Sequence, residues 1–343
     1  MLPQPRDLLG RPLTDLRVSV TDRCSLRCGF CMPGDREYEF LQRAELLTYE
    51  ETARLVRLFA GLGVSKVRLT GGEPLLRRDL HRLVALLAAT PGIDDLALTT
   101  NGLLLARDAA ALREAGLARV TVSLHSLRPE TFDRLSGSRG HLPEVLAGIE
   151  AAAAAGLVPI KVNAVVMRGV NDDEVAELAR FFKRPGFVLR FIEYMDDGTV
   201  NGWQPGGVVS ADEIVARVGA ELPLEPVPRR NAHDVALRFR YREGQGEGDG
   251  ELGVIASVSQ PFCGDCSRAR LTADGRLFAC LFASVGLDLK TPLRDGESDD
   301  ELQARIAAFW GRRADRYSEE RAERLAAGHG VPPSRVEMYR IGG

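Results

Sequence analysis

Up to about residue 200, short runs of β-branched and aliphatic residues alternate with longer stretches of helical apolar spacing. That rhythm constrains the chain more than any other feature, because it marks successive βα units whose strands run parallel. Six runs read as strands: Leu16 to Val20, Lys66 to Thr70, Leu96 to Thr100, Arg119 to His125, Ile160 to Val166 and Val188 to Met195. Thr48 to Ala60 and Leu80 to Ala89 read as helices between them. Asn171-Asp172-Asp173-Glu174 reads as a helix start, a cap followed three residues later by its Glu. In the first five strands one parity is aliphatic, as in Leu16, Val18 and Val20 or Val120, Val122 and Leu124. The other is polar: Arg17, Ser19, Lys66, Arg68, Thr70, Thr99, Thr121, Ser123, Lys161 and Asn163. Parallel strands covered by helices are normally apolar on both faces, so the polar face predicts a wet or ligand-filled interior such as a barrel lumen. The alternative, mutual pairing inside an ordinary core, costs several kcal/mol for each unpartnered charge. The sixth strand fits less well, since Arg190 and Glu193 have opposite parity.

After Gly206 the rhythm changes. A helix over Ser210 to Val218 leads into the proline-rich Pro223 to Pro228, and the strand-like runs Val235 to Arg242 and Leu252 to Ser259 flank a Gly/Glu loop tip, Glu243 to Glu251. Short strands follow at Ala269 to Thr272 and Arg276 to Ala279, then helices at Asp299 to Phe309 and Ser318 to Ala327. A boundary near 220 suits a chain of 343 residues, which is long enough for one large domain or two. The balance of 45 Lys and Arg against 48 Asp and Glu offers no basic excess for nucleic acid or an anionic membrane. The longest apolar run, around Ala147 to Val158, falls short of the ~18 residues a membrane span needs, and Met1 to Gly10 lacks a signal-peptide core. A soluble cytoplasmic protein is expected, in which six cysteines serve as metal ligands or catalysts rather than disulfides.

The cysteines fall into two sets of three. Cys24-Ser-Leu-Arg-Cys28-Gly-Phe-Cys31 follows the first strand directly. Three thiolates are one short of a structural zinc site, but on a cube of four irons they leave one iron open to chelate a small molecule. The second set is Cys263-Gly-Asp-Cys266 with Cys280 thirteen residues further on. Here zinc stays open as an alternative, with His81, His125, His141, His233 or His329 as a distant fourth ligand.

The first cysteine spacing resembles the cluster motif of the radical S-adenosylmethionine (SAM) superfamily, and Gly71-Gly72-Glu73-Pro74 resembles its segment for the SAM amino group. Within that superfamily the chain resembles, over nearly its whole length, the enzymes acting on GTP at the opening of molybdenum-cofactor biosynthesis. The segments that carry this are Leu16 to Cys24, Arg68 to Pro74, Thr99 to Gly102, Arg190 to Glu193, Cys263 to Arg270 and the terminal Gly342-Gly343. The resemblance implies an α/β fold, an incomplete (β/α)6 TIM-type barrel with a smaller C-terminal α+β domain covering its mouth, divided as residues 1–220 and 221–343. It implies two [4Fe–4S] clusters, on Cys24, Cys28 and Cys31 and on Cys263, Cys266 and Cys280. SAM would contact Phe30, Gly72, Ser123 and Met195. GTP would contact Arg17, Arg68, Thr99, Lys161, Arg268, Ala269 and Arg270.

No Gly-x4-Gly-Lys-Ser/Thr loop is present to cradle a triphosphate, so forked arginine donors on the polar strand face would have to do so. A homodimer, an electron donor and a downstream cofactor-biosynthesis enzyme are implied partners. Two residues depart from the common pattern, Phe30 where Tyr is usual and His125 where Asp is usual. By composition Gly342-Gly343 is a frayed end. By resemblance the paired glycines enter the active site and act there with Arg17. Two other readings share some of these features, a radical SAM peptide-modifying enzyme with an auxiliary cluster and a non-enzymatic protein with two zinc sites.

Overall fold

The computed structural model describes residues 3–230, 234–242, 250–327 and 335–342. Six parallel strands form its centre: β1 (Asp15–Ser19), β2 (Lys66–Thr70), β3 (Asp95–Thr100), β4 (Arg119–Ser123), β5 (Ile160–Val166) and β6 (Phe187–Glu193). They pair in sequence order, β1 through β6. Outside them lie α1 (Tyr49–Gly61), α2 (Leu80–Ala88), α3 (Leu105–Glu114), α4 (Pro129–Ser136), α5 (Leu142–Ala154) and α6 (Val175–Phe182). The aliphatic parity faces these helices, with Leu16, Val67, Leu98, Val120 and Val162 at 4% exposure or less in one continuous core with Leu55, Phe59, Leu83 and Ile149.

The later strands extend both edges of the same sheet. β7 (Leu224–Val227), β8 (Leu237–Tyr241) and β9 (Glu251–Ile255) continue from β6, and β10 (Arg268–Leu271), β11 (Arg276–Phe278) and β12 (Leu287–Asp288) continue from β1. β9 runs parallel to β6 and β10 parallel to β1, while the outer strands are antiparallel. The sheet curls strongly. Five strand spacings of ~4.8 Å would hold β1 and β6 about 24 Å apart in a flat sheet, yet Arg17 of β1 lies in the electrostatic field of Arg190 of β6. This is the incomplete barrel that the family resemblance implies, with the polar strand parity on its inside. Among the described residues no helix is long and apolar enough to cross a membrane.

Helices α7 (Ala211–Glu221), α8 (Lys290–Arg294), α9 (Asp299–Gly311), α10 (Tyr317–Ala326) and α11 (Met338–Ile341) complete the chain. Thr48, Ser210 and Ser298 start α1, α7 and α9 with reciprocal capping boxes to Glu51, Glu213 and Glu301. The expected cap at Asn171 is a correction. α6 begins four residues later, and Asn171 instead turns inward, accepting from Met167 N at 2.8 Å and donating to the carbonyls of His125 at 2.8 Å and Val165 at 2.9 Å. Those backbone groups are buried where the chain leaves the barrel, and an unmet buried carbonyl costs more than an exposed helix end. Most of the loop tip expected at 243–251 lies outside the described residues.

Candidate active site

The first cysteine trio sits in the loop leaving β1, in a fold that depends on close backbone approach. A Cβ on Gly72 would stand 2.3 Å from the carbonyl oxygen of Arg23 and 2.9 Å from that of Asp22, so only glycine lets this segment pack on the loop ahead of Cys24. Glu73, fully buried, accepts from Thr100 Oγ1 and Asn101 N at 2.7 Å each and from Leu75 N at 3.0 Å. Asn101 in turn donates to Ser25 Oγ at 3.1 Å and reaches Cys24 Sγ at 3.9 Å. Burial and the nearby Cys24 push the Cys28 thiol up to about 12, and burial with Cys28 and Asp197 pushes Cys31 well up. Thiols so placed remain protonated unless a metal takes the proton's place, and this donor set fits an iron–sulfur cluster. Among the described residues no three His, Cys, Asp or Glu side chains converge as a single ion requires. A cube differs in attaching each thiolate to a different iron.

Phe30 and His125, the two departures from the common pattern, pack against one another, ring centroids 4.9 Å apart and nearly perpendicular. His125 Nδ1 accepts from Val165 N at 3.1 Å, and burial lowers the imidazole to about 4, so the ring is neutral and fixed. Ser123 ends β4 and Met195 follows β6, both half-buried. Phe30, Gly72, Ser123 and Met195 thus lie in segments at the C-terminal ends of strands, where barrel enzymes place their chemistry.

Below this rim the polar parity lines the lumen with cations. The register sets Arg270, Arg17 and Arg68 side by side across β10, β1 and β2. Like charges in neighbouring register positions repel. Lys161 of β5 pairs in register with Thr121, and Arg190 of β6 with Asn163, to whose Oδ1 it donates at 2.9 Å. Arg68 donates to Thr121 Oγ1 at 2.8 Å and Thr99 Oγ1 at 3.2 Å. Among the described residues none of Arg17, Arg68, Lys161, Arg190, Arg268 and Arg270 is ion-paired with a carboxylate; Lys66, at the opposite end of β2, does pair with Asp15. Burial with Arg190 nearby pulls Lys161 down to about 6, and burial with neighbouring arginines pulls Arg68 and Arg270 to about 10 and Arg190 to about 9. Arginine keeps its proton at neutral pH, so the depression records unfavourable placement that a bound polyanion would relieve. Ala269, paired with Leu16, points to the opposite, apolar face and offers the lumen only its main chain.

The second trio lies beside β10. Cys266 N donates to the carbonyl of Cys263 at 3.2 Å in a short turn, and Arg268 Nη2 stands 3.5 Å from Cys266 Sγ. Burial alone would raise Cys266, but Arg268 and Arg313 bring it down to about 6; burial raises Cys280 to about 11. The C-terminal tail descends between these parts. Arg270 donates to the carbonyl of Gly342, where a Cβ would stand 2.5 Å from Thr70 Cγ2 and 2.7 Å from Ser19 Oγ. Gly343 lies outside the described residues. A surface cleft of about 520 Å³ lined by Arg77, Arg78, His81 and Arg107 contains none of the expected residues.

Residues 18–182 match the model of the radical SAM superfamily, and residues 187–319 that of the molybdenum cofactor synthesis C family. A GTP 3′,8-cyclase of Acidothermus cellulolyticus is 56% identical over 324 residues, 92% of this chain and 88% of that protein. One of Aquifex aeolicus is 48% identical over 98% of this chain and 99% of its own length. The chain belongs to the GTP 3′,8-cyclase family. The solved structure of Streptococcus suis SuiB bound to S-adenosylmethionine has the same fold, with a TM-score of 0.58 at 16% identity over 87% of this chain and 69% of that one. Membership of the radical SAM superfamily brings with it a [4Fe–4S] cluster and SAM.

Sequence reasoning left two elements of this cyclase-family site out. Arg190 joins the lumen cations, while Glu193, at 0% exposure, points the other way and accepts from Ala211 N at 2.7 Å, Val258 N at 2.6 Å and Ser259 N at 2.8 Å. The opposite parities in β6 were the available signal. The second is Asp196, beside Met195, which binds Arg321 Nε at 2.7 Å, Tyr317 and Arg335 and so anchors the segment leading into the tail. No local pattern announces that contact.

Proposed function

We propose that the chain converts GTP to (8S)-3′,8-cyclo-7,8-dihydroguanosine 5′-triphosphate, the opening step of molybdenum-cofactor biosynthesis. The observation that carries this reading is the row of arginines Arg270, Arg17 and Arg68, set side by side in register across β10, β1 and β2 and without a carboxylate ion pair among the described residues. Cys24, Cys28 and Cys31 would hold one [4Fe–4S] cluster, and Cys263, Cys266 and Cys280 a second. When bound, the first cluster and SAM would supply the one-electron radical chemistry that cyclisation at C3′ of the nucleotide requires.

The protein's part is position and exclusion. Arg17, Arg68, Arg268 and Arg270 with Lys161 and Thr99 surround the triphosphate, which fixes the ribose relative to the rim and replaces a random encounter by a held one. The main chain at Phe30 and Gly72, with Ser123 and Met195, receives SAM. The tail glycines would act with Arg17 at the reacting atoms, and at Gly342 the missing side chain permits the close approach to Thr70 and Ser19. A reactive carbon radical would attack solvent or side chains, so the closed lumen protects the intended reaction. Residues 1–220 carry the barrel and first cluster, and 221–343 the second cluster and the β10 arginines. The enzyme works in the cytoplasm as a homodimer, drawing on an electron donor and passing its product to a later enzyme of the pathway.

Anaerobic incubation of iron-loaded protein with SAM, reductant and GTP deuterated at C3′ tests this. Deuterium in 5′-deoxyadenosine together with cyclised product is expected; unlabelled 5′-deoxyadenosine refutes the position of attack. A peptide-modifying activity would leave GTP unchanged.

A further inference from the structure

The second cysteine loop is held by residues remote in sequence that the proposed chemistry does not use. Arg11 Nη1 donates to the carbonyl of Cys263 at 2.7 Å, and Arg313 Nη1 donates to that of Cys266 at 2.7 Å. Both guanidiniums share one carboxylate, Asp7 Oδ2 accepting from Arg11 Nε at 2.5 Å and from Arg313 Nη1 at 3.3 Å. Asp7 is 6% exposed, Arg11 3% and Arg313 4%, so the knot is shielded from water and from screening by salt. The other Asp7 oxygen accepts from the backbone N–H groups of Leu9 and Arg11 at 2.9 Å each. Trp310 closes it, its indole N–H donating to the carbonyl of Arg11 at 3.1 Å and its ring lying 4.7 Å from the Arg313 guanidinium.

Two buried cations on one anion leave a surplus of positive charge, and Arg11 Nη2 and Arg313 Nε have no hydrogen-bond partner among the described residues. Buried charge persists only where something compensates it. The compensation at hand is the cysteine trio, onto whose backbone carbonyls at Cys263 and Cys266 both guanidiniums already donate. A cube held by three thiolates is anionic and becomes more so on accepting an electron, and its potential follows the charge and hydrogen bonds around it.

We propose that Asp7, Arg11 and Arg313 form a buried clamp that fixes the Cys263–Cys266 loop and whose surplus positive charge favours the reduced state of the cluster bound there. These are positioning residues, acting through the cysteine backbone and the local field. The inference rests on the second cluster proposed above.

The test uses the full-length chain with Cys24, Cys28 and Cys31 changed to Ser, which isolates the second trio. After anaerobic loading with iron and sulfide, iron is counted and the reduced fraction is followed by electron paramagnetic resonance during titration with dithionite. About four irons per chain are expected. Arg313→Gln lowers the reduced-to-oxidised ratio at fixed potential about tenfold, about 59 mV for one electron. Asp7→Asn, which removes the shared countercharge, raises the ratio, and Arg313→Lys stays near the parent. Loss of iron from Arg11→Gln with retention in Arg11→Lys supports the fixing role. Structural damage alone moves the Arg313→Gln and Asp7→Asn ratios in the same direction. Shifts of one sign, or none, with iron still bound overturn the clamp and leave the cluster standing. An iron-free parent overturns the second cluster and the clamp together.

Discussion

Lys161→Met should stabilise the free protein while weakening its hold on nucleotide. Burial, with Arg190, Arg119 and Arg68 nearby, lowers Lys161 from 10.5 to about 6, so at pH 7 the folded chain must surrender a proton that the unfolded chain keeps. At 1.36 kcal/mol per decade, the distance from pH 7 to the ordinary value amounts to about 5 kcal/mol against folding. The sign follows directly. The penalty is absent above the unfolded value, grows as pH falls from 10.5 towards 6, and is constant below. Methionine keeps an unbranched apolar stem and discards the ionisable head, so the variant should melt about 3–7 °C higher at pH 7, an advantage that vanishes near pH 10. A triphosphate reverses the balance by favouring the ammonium. Nucleotide binding at pH 8 should therefore take up close to one proton in the parent and fewer in the variant, measured by calorimetry in buffers of different ionisation enthalpy. A variant that melts no higher than the parent, or whose advantage persists at pH 10, refutes the reasoning.

Arg68→Met removes the donor that Thr99 and Thr121 orient. The loss of a charge-assisted bond, about 2–3 kcal/mol, should weaken GTP binding about 30–160-fold by calorimetry, and unchanged affinity would place the triphosphate elsewhere. Gly342→Ala puts a methyl 2.5 Å from Thr70 Cγ2 at a backbone φ of +81°, a conformation costing other residues about 1–3 kcal/mol. Cyclised product should disappear while iron content and 5′-deoxyadenosine formation remain; full activity would make the tail dispensable. His125, held at about 4, should withdraw up to about 3 kcal/mol of stability as pH falls from 6.5 to 4. His125→Asn should flatten that part of the denaturation profile, and an identical slope would show that the imidazole titrates normally.

The parts of this molecule that the sequence makes legible are those decided within one strand or one turn. Alternation along β1 to β5 assigns Arg17, Arg68 and Lys161 to the lumen because a strand has only two faces and the aliphatic one must meet the helices. Cys24, Cys28 and Cys31 are legible because their spacing already confines them to one loop. Alternation fails in β6, where Arg190 turns inward and Glu193 is buried outside. Both faces of that strand are polar there for different reasons, one carrying Arg190 onto Asn163 in the lumen and one to hold the N-terminus of α7 and the loop at Val258. Asn171 misleads for a related reason, since the same amide that would cap an exposed helix serves buried carbonyls better. The clamp is the extreme case. Arg11 and Cys263 are 252 positions apart, and neither residue's neighbours in sequence hint at the other. What brings them together is the pairing of β10 with β1, because a strand that returns to the first edge of the sheet must lay its preceding loop on whatever precedes β1. The chemistry of the second trio is thus tied to the N-terminal residues by topology, and substitutions there should be felt at the cysteines.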